Sequence, residues 1–321
     1  MKRFALSALA FAFATFAALP AAAQTWPSKQ IRIIVAFPAG GSTDIATRPV
    51  ADRMAQTLGQ SILVENRTGA GGNIAADVVA KSPPDGYTIL ASADALASNP
   101  HLYLNLGFDV LKDLAPVVQL TRQPVLLAVH PSAGVNSLAE LIALAKSRPG
   151  MSYATSGAGS QQHIVAEMFA SMAGIQLTHV PYRGGGQAIT DLVGGHIPIG
   201  SLGSSPLIPH YKAGRLKLLA QSTRTRAPTL PEIPTYDEQG LTGFHIEQWL
   251  GLFVPSGTPR DVIAKLNAAA VQALKEPAIV ERYSGVALEP VGGTPEQLDR
   301  LLRDDYAKYA KVIRELKIKL E

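Results

Sequence analysis

Short runs rich in β-branched residues alternate with amphipathic segments along most of the chain, and this alternation constrains the fold more than any other feature. The first series predicts strands at 31–36, 61–65, 87–91 and 116–120, with helices over 44–58 and 72–81. A second series predicts strands at 125–130, 151–156, 177–182, 197–202 and 216–223, with helices over 138–146, 160–172 and 187–193. Such alternation indicates βαβ units and doubly wound sheets.

The C-terminal third lacks a third unit of this kind. A buried strand is predicted at 250–255, and two stretches with helical spacing of apolar residues follow it. We therefore expect this tail to fold back on the first unit, with crossovers near Gln123 and Trp249. The predicted α/β fold has two lobes, each a mixed, doubly wound sheet flanked by helices: 24–123 plus 250–321, and 124–249. A cleft between two such lobes is the expected ligand site.

The N-terminus predicts export. Lys2 and Arg3 precede an apolar run that ends in the small residues 21–23, which is typical of a cleavable signal peptide over 1–23. The run is short for a membrane span, although an uncleaved anchor is the alternative. No cysteine is present, which excludes disulfides, thiolate metal sites and lipid attachment at cysteine. We expect a mature protein that diffuses freely outside the cytoplasm.

Charge and motifs argue against several classes of function. Basic and acidic residues nearly balance, at 29 and 25, and no basic run suggests nucleic acid or a membrane surface. Phosphate-loop, nucleophile-elbow and zinc-protease motifs are missing, and 69–74 and 157–162 only begin like dinucleotide fingerprints. His163 and Glu167 lie one helical turn apart, but two ligands do not make a metal site. We predict a protein without cofactor, metal or enzymatic activity.

Two glycine-rich loops remain, at 37–44 and 155–160, and each follows a predicted strand and precedes a predicted helix. Backbone N–H groups at the start of a helix attract anions. Two such loops facing one cleft predict a receptor for an anionic ligand. The alternative is a pair of ordinary tight turns with helix caps.

Asp44 fits this prediction poorly, because a carboxylate repels a bound anion. Either it accepts N–H groups at the start of its own helix, or a neutral ligand group or a water donates to it. We expect Arg48 to pair on the surface. We expect His163, in the first turn of its helix, to be neutral and to donate one hydrogen bond.

Four segments carry a resemblance to a known family: 26–48, 64–90, 153–169 and 179–197. In this order they resemble the Bug or TctC-like periplasmic solute receptors of tripartite tricarboxylate transporters in Gram-negative bacteria. The resemblance implies a periplasmic-binding-protein fold of the Venus flytrap type. It also implies a monomer in the periplasm that closes over a small organic carboxylate and delivers it to membrane permease subunits.

The resemblance also implies site residues. The predicted ligand-binding set is Phe37, Ala39, Gly40, Gly41, Asp44, Ser92, Ser156, Gly157, Gly159, Ser160, His163 and Tyr182. The sequence departs from the family at 197–205, where Pro198 replaces a common acidic residue and serines follow. The identity of the carboxylate therefore stays open.

Two other functions stay open at this point. One is a periplasmic hydrolase or isomerase that uses His163 with a serine such as Ser160, although no third group accompanies them. The other is a receptor that reports its ligand to a membrane signalling partner, because no motif identifies the partner surface.

Overall fold

The computed structural model describes residues 26–318, so the signal peptide predicted over 1–23 lies outside the described residues. The strands are β1 Ile31–Val35, β2 Ile62–Asn66, β3 Thr88–Ala93, β4 Leu114–Val129, β5 Met151–Thr155, β6 Leu177–Pro181, β7 Ile199–Gly203, β8 Lys217–Gln221, β9 Glu247–Pro255 and β10 Glu289–Gly292. The helices are α1 Ser42–Leu58, α2 Asn73–Ala80, α3 Ala95–Ser98, α4 Leu138–Ser147, α5 Gln161–Ala173, α6 Gly185–Val193, α7 Ser204–Lys212, α8 Arg260–Leu274, α9 Pro277–Ser284 and α10 Pro295–Leu316. None of these helices is long and apolar enough to cross a membrane.

The strands form two sheets that share β4. In the first sheet β1 lies between β2 and β3 in parallel, and β9 joins β3 to the first part of β4 in antiparallel pairing. β10 also pairs with β4. In the second sheet β5 lies between β6 and β7 in parallel, while β7 and β8 run antiparallel to the last part of β4. The mixed, doubly wound sheets predicted from the alternation are confirmed.

β4 is one continuous strand, so the prediction of separate strands at 116–120 and 125–130 is wrong. Its partner changes from Glu247, opposite Pro124, to Gly203, opposite Val125. The polar residues at 121–123 interrupt the apolar run and made the strand look broken. Thr121 and Gln123 are nevertheless buried, because the strand passes there from one hydrophobic core to the next.

The first strand shows why continuous apolar runs predict a buried sheet. Ile31 and Ile33 face a core formed with α1, α8 and α9, whereas Ile34 faces a second core on the opposite side of the sheet. Both faces of β1 are therefore covered, as expected for parallel strands between helix layers. The C-terminal tail contributes to both cores through Leu266 of α8 and Tyr309 of α10.

We predict that Leu250→Ala, in the central strand β9, lowers the free energy of unfolding by about 2–5 kcal/mol, because Leu250 is fully buried and its loss leaves a cavity. Urea denaturation followed by circular dichroism measures the effect. The same substitution at Leu104, which is 99% exposed, is the control and should change the value by less than about 0.5 kcal/mol. Equal effects at both positions would contradict this description of the core.

Candidate functional site

The first glycine-rich loop connects β1 to α1. Gly41 caps the helix with extended backbone and its N–H donates to Pro38 O at 3.2 Å, while no side chain caps the first turn. The first N–H groups of a helix have no partner within the helix. The start of α1 therefore offers backbone donors, at Ser42 and Thr43, toward the space beyond the carboxyl end of β1.

Asp44 stabilises this loop through hydrogen bonds. Its carboxylate accepts from Gly40 N at 3.1 Å, from Asn66 Nδ2 at 3.0 Å and from Arg48 Nε at 2.9 Å. Burial alone would raise the pKa of Asp44, but these donors outweigh it and the net pKa is lowered. Of the two roles expected for Asp44, the structure has it accepting a backbone N–H at the start of its own helix. The pairing expected for Arg48 is also present.

The second loop connects β5 to α5. Gly157 has a φ of +144°, and a Cβ there would come within 3.2 Å of Tyr182 O. Ser160 caps α5, because its Oγ accepts from His163 N at 3.3 Å and donates to Gly157 O at 2.7 Å. Ser156 Oγ donates to Gln162 Oε1 at 2.9 Å. The loop is thus shaped by a glycine conformation and a helix cap.

His163 lies behind this loop. Its Nδ1 accepts from Gly159 N at 3.1 Å, and its ring stacks on His179 with centroids 3.9 Å apart. Burial lowers the pKa of His163 to about 4, so the imidazole is neutral at neutral pH, as expected. The expected donated bond is not formed among residues 26–318, because Nε2 is 3.8 Å from Glu167 Oε1. The structure uses Nδ1 as an acceptor that fixes the loop.

Two adjoining chambers lie between the sheets where the two loops meet. The large chamber has a volume of about 410 Å³ and the small chamber about 40 Å³. They share the lining residues Phe37, Pro38, Ala95, Ser156 and Ser160. Phe37 and Pro38 follow β1, whereas Ser156 and Ser160 follow β5. Each sheet therefore contributes one wall to both chambers.

Four helices begin at the small chamber. It is lined by Gly41 to Thr43 of α1, by Ser160 to Gln162 of α5, by Gly185 of α6 and by Gly203 before α7. Three of these helices, α1, α6 and α7, have glycine caps without a side-chain hydrogen bond. Aligned peptide dipoles give each helix start a partial positive charge. The chamber is therefore electrostatically suited to an anionic group.

Contacts across the cleft hold the two walls together. Ser205 Oγ donates to Ser42 Oγ at 2.9 Å, and Ser98 Oγ donates to Gly159 O at 3.2 Å. Gly184 packs so closely on Pro38 that a Cβ would come within 2.4 Å of the proline Cγ. The described conformation is thus a closed one.

Half of the predicted site residues line these chambers: Phe37, Gly41, Ser156, Gly157, Ser160 and Tyr182. The other half line neither chamber: Ala39, Gly40, Asp44, Ser92, Gly159 and His163. Ala39 and Gly40 are exposed at the tip of the first loop, and Ser92 is buried in β3. Asp44, Gly159 and His163 support the loops through the hydrogen bonds described above.

Several lining residues were missed by sequence reasoning. The large chamber is also lined by the loop 68–72, Tyr103 and Arg183, and the small chamber by Asp94 and Gln248. The glycines of the loop 68–72 are a visible signal, since they begin like a dinucleotide fingerprint and lie in one of the segments that carry the family resemblance, but no residue of this loop is in the predicted ligand-binding set. Asp94 carries no local motif, so only the tertiary structure brings it to the cleft.

The serines at 201–205, where the sequence departs from the family, form hydrogen bonds with protein groups. Ser204 Oγ is 3.0 Å from Gln123 Oε1 and 2.8 Å from Ala287 O, and Ser201 Oγ donates to Gln162 O at 2.8 Å. Gly203 is the member of this segment that lines the small chamber, together with Leu202. The residues that differ from the family at 197–205 therefore contribute mainly to packing at the junction of β7 and α7.

No set of three or more His, Cys, Asp or Glu side chains within residues 26–318 is arranged to hold a metal ion. Tyr182, which lines the large chamber, donates from its hydroxyl to Asp191 Oδ2 at 2.7 Å. Burial and this hydrogen bond together raise the pKa of Tyr182 to about 12. Apart from Asp94 at the small chamber, the polar lining consists of neutral side chains and backbone groups, with Arg183 exposed at the large chamber.

The two-lobe fold places the protein in the class of periplasmic binding proteins, which includes BugD at 30% identity and a TM-score of 0.88 over 92% of this chain and 100% of BugD. The family model for the tripartite tricarboxylate transporter family receptor, TctC, matches residues 46–318. The chain belongs to this family of solute-binding receptors.

Individual relatives match over nearly their whole length. Protein BugT of Bordetella pertussis is 36% identical over 307 residues, covering 95% of this chain and 94% of BugT. R. palustris Rpa4515, solved with adipate, is 34% identical with a TM-score of 0.89, covering 92% of this chain and 99% of its own. MatC from Rhodopseudomonas palustris, solved with bound malate, is 31% identical with a TM-score of 0.84, covering 90% and 100%.

We predict that Asp44→Asn lowers the melting temperature by a few degrees at about pH 7, and that the difference from the wild type shrinks as the pH falls below the ordinary aspartate pKa of about 3.9. The lowered pKa of Asp44 stabilises the folded state above its unfolded pKa, and this contribution is lost as the pH falls through the folded pKa. Differential scanning calorimetry across this pH range measures it. Asp52→Asn, an exposed change on the same helix, is the control. A difference that stays constant with pH would contradict the role of Asp44.

Proposed function

We propose that this protein is an extracytoplasmic receptor that captures a small organic carboxylate between its lobes and delivers it to a tripartite tricarboxylate-type membrane transporter. The observation that carries the proposal is the convergence of four helix N-termini on the small chamber of a closed cleft. Backbone donors and helix dipoles bind an anion without an obligatory cationic side chain. A carboxylate supplies that anion while the rest of the ligand occupies the large chamber.

The relatives support a carboxylate over other anions. Rpa4515 was solved with adipate and MatC with malate, and both share the fold of this chain over at least 90% of its length. A large chamber of about 410 Å³ accommodates a short carbon skeleton, and Arg183 and Tyr103 supply polar contacts for its far end. The ligand is therefore a small molecule rather than a peptide or polymer.

The proposed lobes are residues 24–123 with 250–321, and residues 124–249. The change of partners along β4 between Pro124 and Val125 supports the first limit, and the antiparallel pairing of β9 with β4 supports the second. β4 and β9 are adjacent at these limits, so the two connections between the proposed lobes lie side by side. Such an arrangement is suited to hinge bending.

The proposed location is the periplasm, reached through cleavage of residues 1–23, and the proposed partners are the membrane subunits of the transporter. The family description supports this partner, and the sequence before residue 24 supports export. We also propose that the receptor is a monomer, as the resemblance in sequence implies.

The contacts of the cleft favour a receptor over a hydrolase. Ser160 Oγ donates to Gly157 O, and the Nδ1 atom of His163 accepts from Gly159 N, so serine and imidazole are each committed to the loop. A nucleophile needs a base within hydrogen-bond reach of its hydroxyl. Receptor function requires only that these groups keep the loops in shape.

A thermal-shift panel of mono-, di- and tricarboxylates, followed by an assay for consumption of each hit, tests the proposed function. A ligand that binds only the folded state adds about 2.7 kcal/mol of stability at a hundredfold excess over Kd. We expect at least one carboxylate to raise the melting temperature and to remain unchanged in the assay. Shifts with sugars or phosphate esters alone, or turnover of the hit, would refute the receptor.

Closure is tested by Gly184→Ala, because the added Cβ would meet Pro38 across the cleft at 2.4 Å and Gly184 has a φ of +132°. We predict that carboxylate affinity measured by calorimetry falls at least about tenfold, which corresponds to about 1.4 kcal/mol. Gly186→Ala is the matched control, since its Cβ has only Ala39 O, at 3.9 Å, within contact distance. Equal affinity in both variants would show that this closed contact does not contribute to binding.

A further inference from the structure

Ala287 has a backbone conformation that alanine rarely adopts. Helix α9 ends at Ser284, and the chain then turns back, with Ala287 N donating to Ser284 O at 3.2 Å and Leu288 N donating to Tyr283 O at 2.9 Å. This pair of bonds is the Schellman motif, in which the residue at the position of Ala287 is left-handed and usually glycine. The φ of Ala287 is +54°. The end of the helix therefore disfavours a methyl group at this position.

The methyl group of Ala287 lies in the hydrophobic core of the second sheet. Ala287 is 2% exposed and belongs to the core that β5, β7 and β8 form with α6, α7 and the last part of β4. Every other buried member of this core lies between residues 126 and 233. Tyr283 and Leu288, in contrast, are buried in the core of the first sheet. Ala287 is thus the residue with which the C-terminal segment reaches into the other core.

Two polar groups of α7 contact the same segment. Ser204 Oγ, at the start of α7, lies 2.8 Å from Ala287 O, and Lys212 Nζ, at the end of α7, donates to Gly285 O at 3.1 Å. Glu289 forms an ion pair with Arg122 of β4, and β10 pairs with β4 in the first sheet. Residues 285–289 are therefore fixed to the first sheet and contact α7 through one methyl group and two carbonyl oxygens.

Helix α7 connects these contacts to the ligand site. Gly203, which caps α7, lines the small chamber, and Ser204 follows it directly. Ser205 Oγ donates to Ser42 Oγ of α1 across the cleft at 2.9 Å. If the second sheet rotates away from the first, α7 moves with it, and the methyl group and the two carbonyl oxygens of the segment lose their partners.

We propose, on the basis of the receptor function proposed above, that residues 285–289 are a latch that favours the closed cleft through the methyl group of Ala287. None of these residues lines either chamber of the cleft. For a receptor that binds its ligand in the closed form, the apparent Kd is the intrinsic Kd divided by the fraction of closed molecules. The latch therefore increases the affinity for the carboxylate without contacting it.

The alternative is a static role at the hinge. Glu289 is opposite Arg122, two residues before Pro124, where β4 changes its partners. Contacts on the axis of a hinge persist in the open and closed forms, so they stabilise both forms equally. A change at Ala287 would then alter the stability of the protein but neither its affinity nor its shape.

Ala287→Gly separates the two roles, because it removes the methyl group and supplies the residue that the end of the helix prefers. We expect the whole mature protein to bind the carboxylate with the largest shift in a panel that includes adipate and malate about fourfold more weakly. This factor corresponds to the loss of one buried methyl group, about 0.8 kcal/mol. Isothermal titration calorimetry measures Kd, and small-angle X-ray scattering of the ligand-free protein measures the expected increase in radius of gyration.

Lys317→Gly is the matched control. Lys317 also has a positive φ, +53°, at the end of α10, but it is exposed and outside the core of the second sheet. It should keep the wild-type Kd and radius of gyration. A change in either quantity that Ala287→Gly shows and Lys317→Gly lacks supports the latch. If both quantities stay at their wild-type values in Ala287→Gly, with or without a change in melting temperature, the latch is overturned.

Lys212→Met keeps the proposal testable if Ala287→Gly does not fold, because this exposed change keeps the aliphatic part of the side chain and removes only the donor to Gly285 O. We expect about twofold weaker binding, as for the loss of one hydrogen bond, and unchanged binding would then contradict the latch. If no carboxylate binds the wild type, the proposed function fails. Scattering of the ligand-free proteins then decides the latch by itself, and equal radii of gyration overturn it.

Discussion

The structure depends on the single strand β4, which belongs to both sheets. Leu114–Val129 pairs with β9 and β10 in its first part and with β7 and β8 in its second part. Sixteen residues of extended chain span about 50 Å, so one strand reaches from one hydrophobic core to the other. This shared strand brings the carboxyl ends of β1 and β5 to the same cleft. The glycine-rich loops that follow those strands face each other for this reason.

The cleft separates donors from acceptors. Backbone N–H groups at the starts of four helices offer donors, and the side chains that shape the loops are satisfied by protein groups. Asp44 is an example, because this carboxylate behind the first glycine-rich loop is paired with Arg48, Asn66 and Gly40. Asp94 is the counterpart, a carboxyl that lacks such partners in the described chain and lines the small chamber. The surroundings of the two acids therefore differ: Asp44 is paired behind the first loop, whereas Asp94 lines the small chamber.

Local sequence patterns predicted most elements of the fold but not the ones that need long-range information. Helices α1, α2, α4, α5 and α6 were predicted to within about two residues of their observed limits, because each has apolar periodicity and glycine or proline at its ends. Helix α7 was missed, since Pro206 and Pro209 suppress a helix prediction and its caps have no side-chain signal. β4 was divided because its polar residues are buried only by the passage between two cores. At the site, the glycine and hydroxyl residues of the two loops were predicted because they form a recognisable motif. Asp94 and Gln248 were not predicted, because neither belongs to such a motif.

The sequence by itself determined the α/β alternation, the two glycine-rich loops and, through four collinear segments, the family, because these depend on local propensity, backbone conformation and motif order. Only the tertiary structure decided which residues face the cleft. In the folded chain Asp44 and His163 hydrogen-bond to the loops and line neither chamber, whereas Asp94, Gln161 and the starts of α6 and α7 line one chamber together. The physical reason is that hydrogen-bond satisfaction is a property of the folded whole: whether a buried carboxylate is paired depends on residues that are distant in the chain.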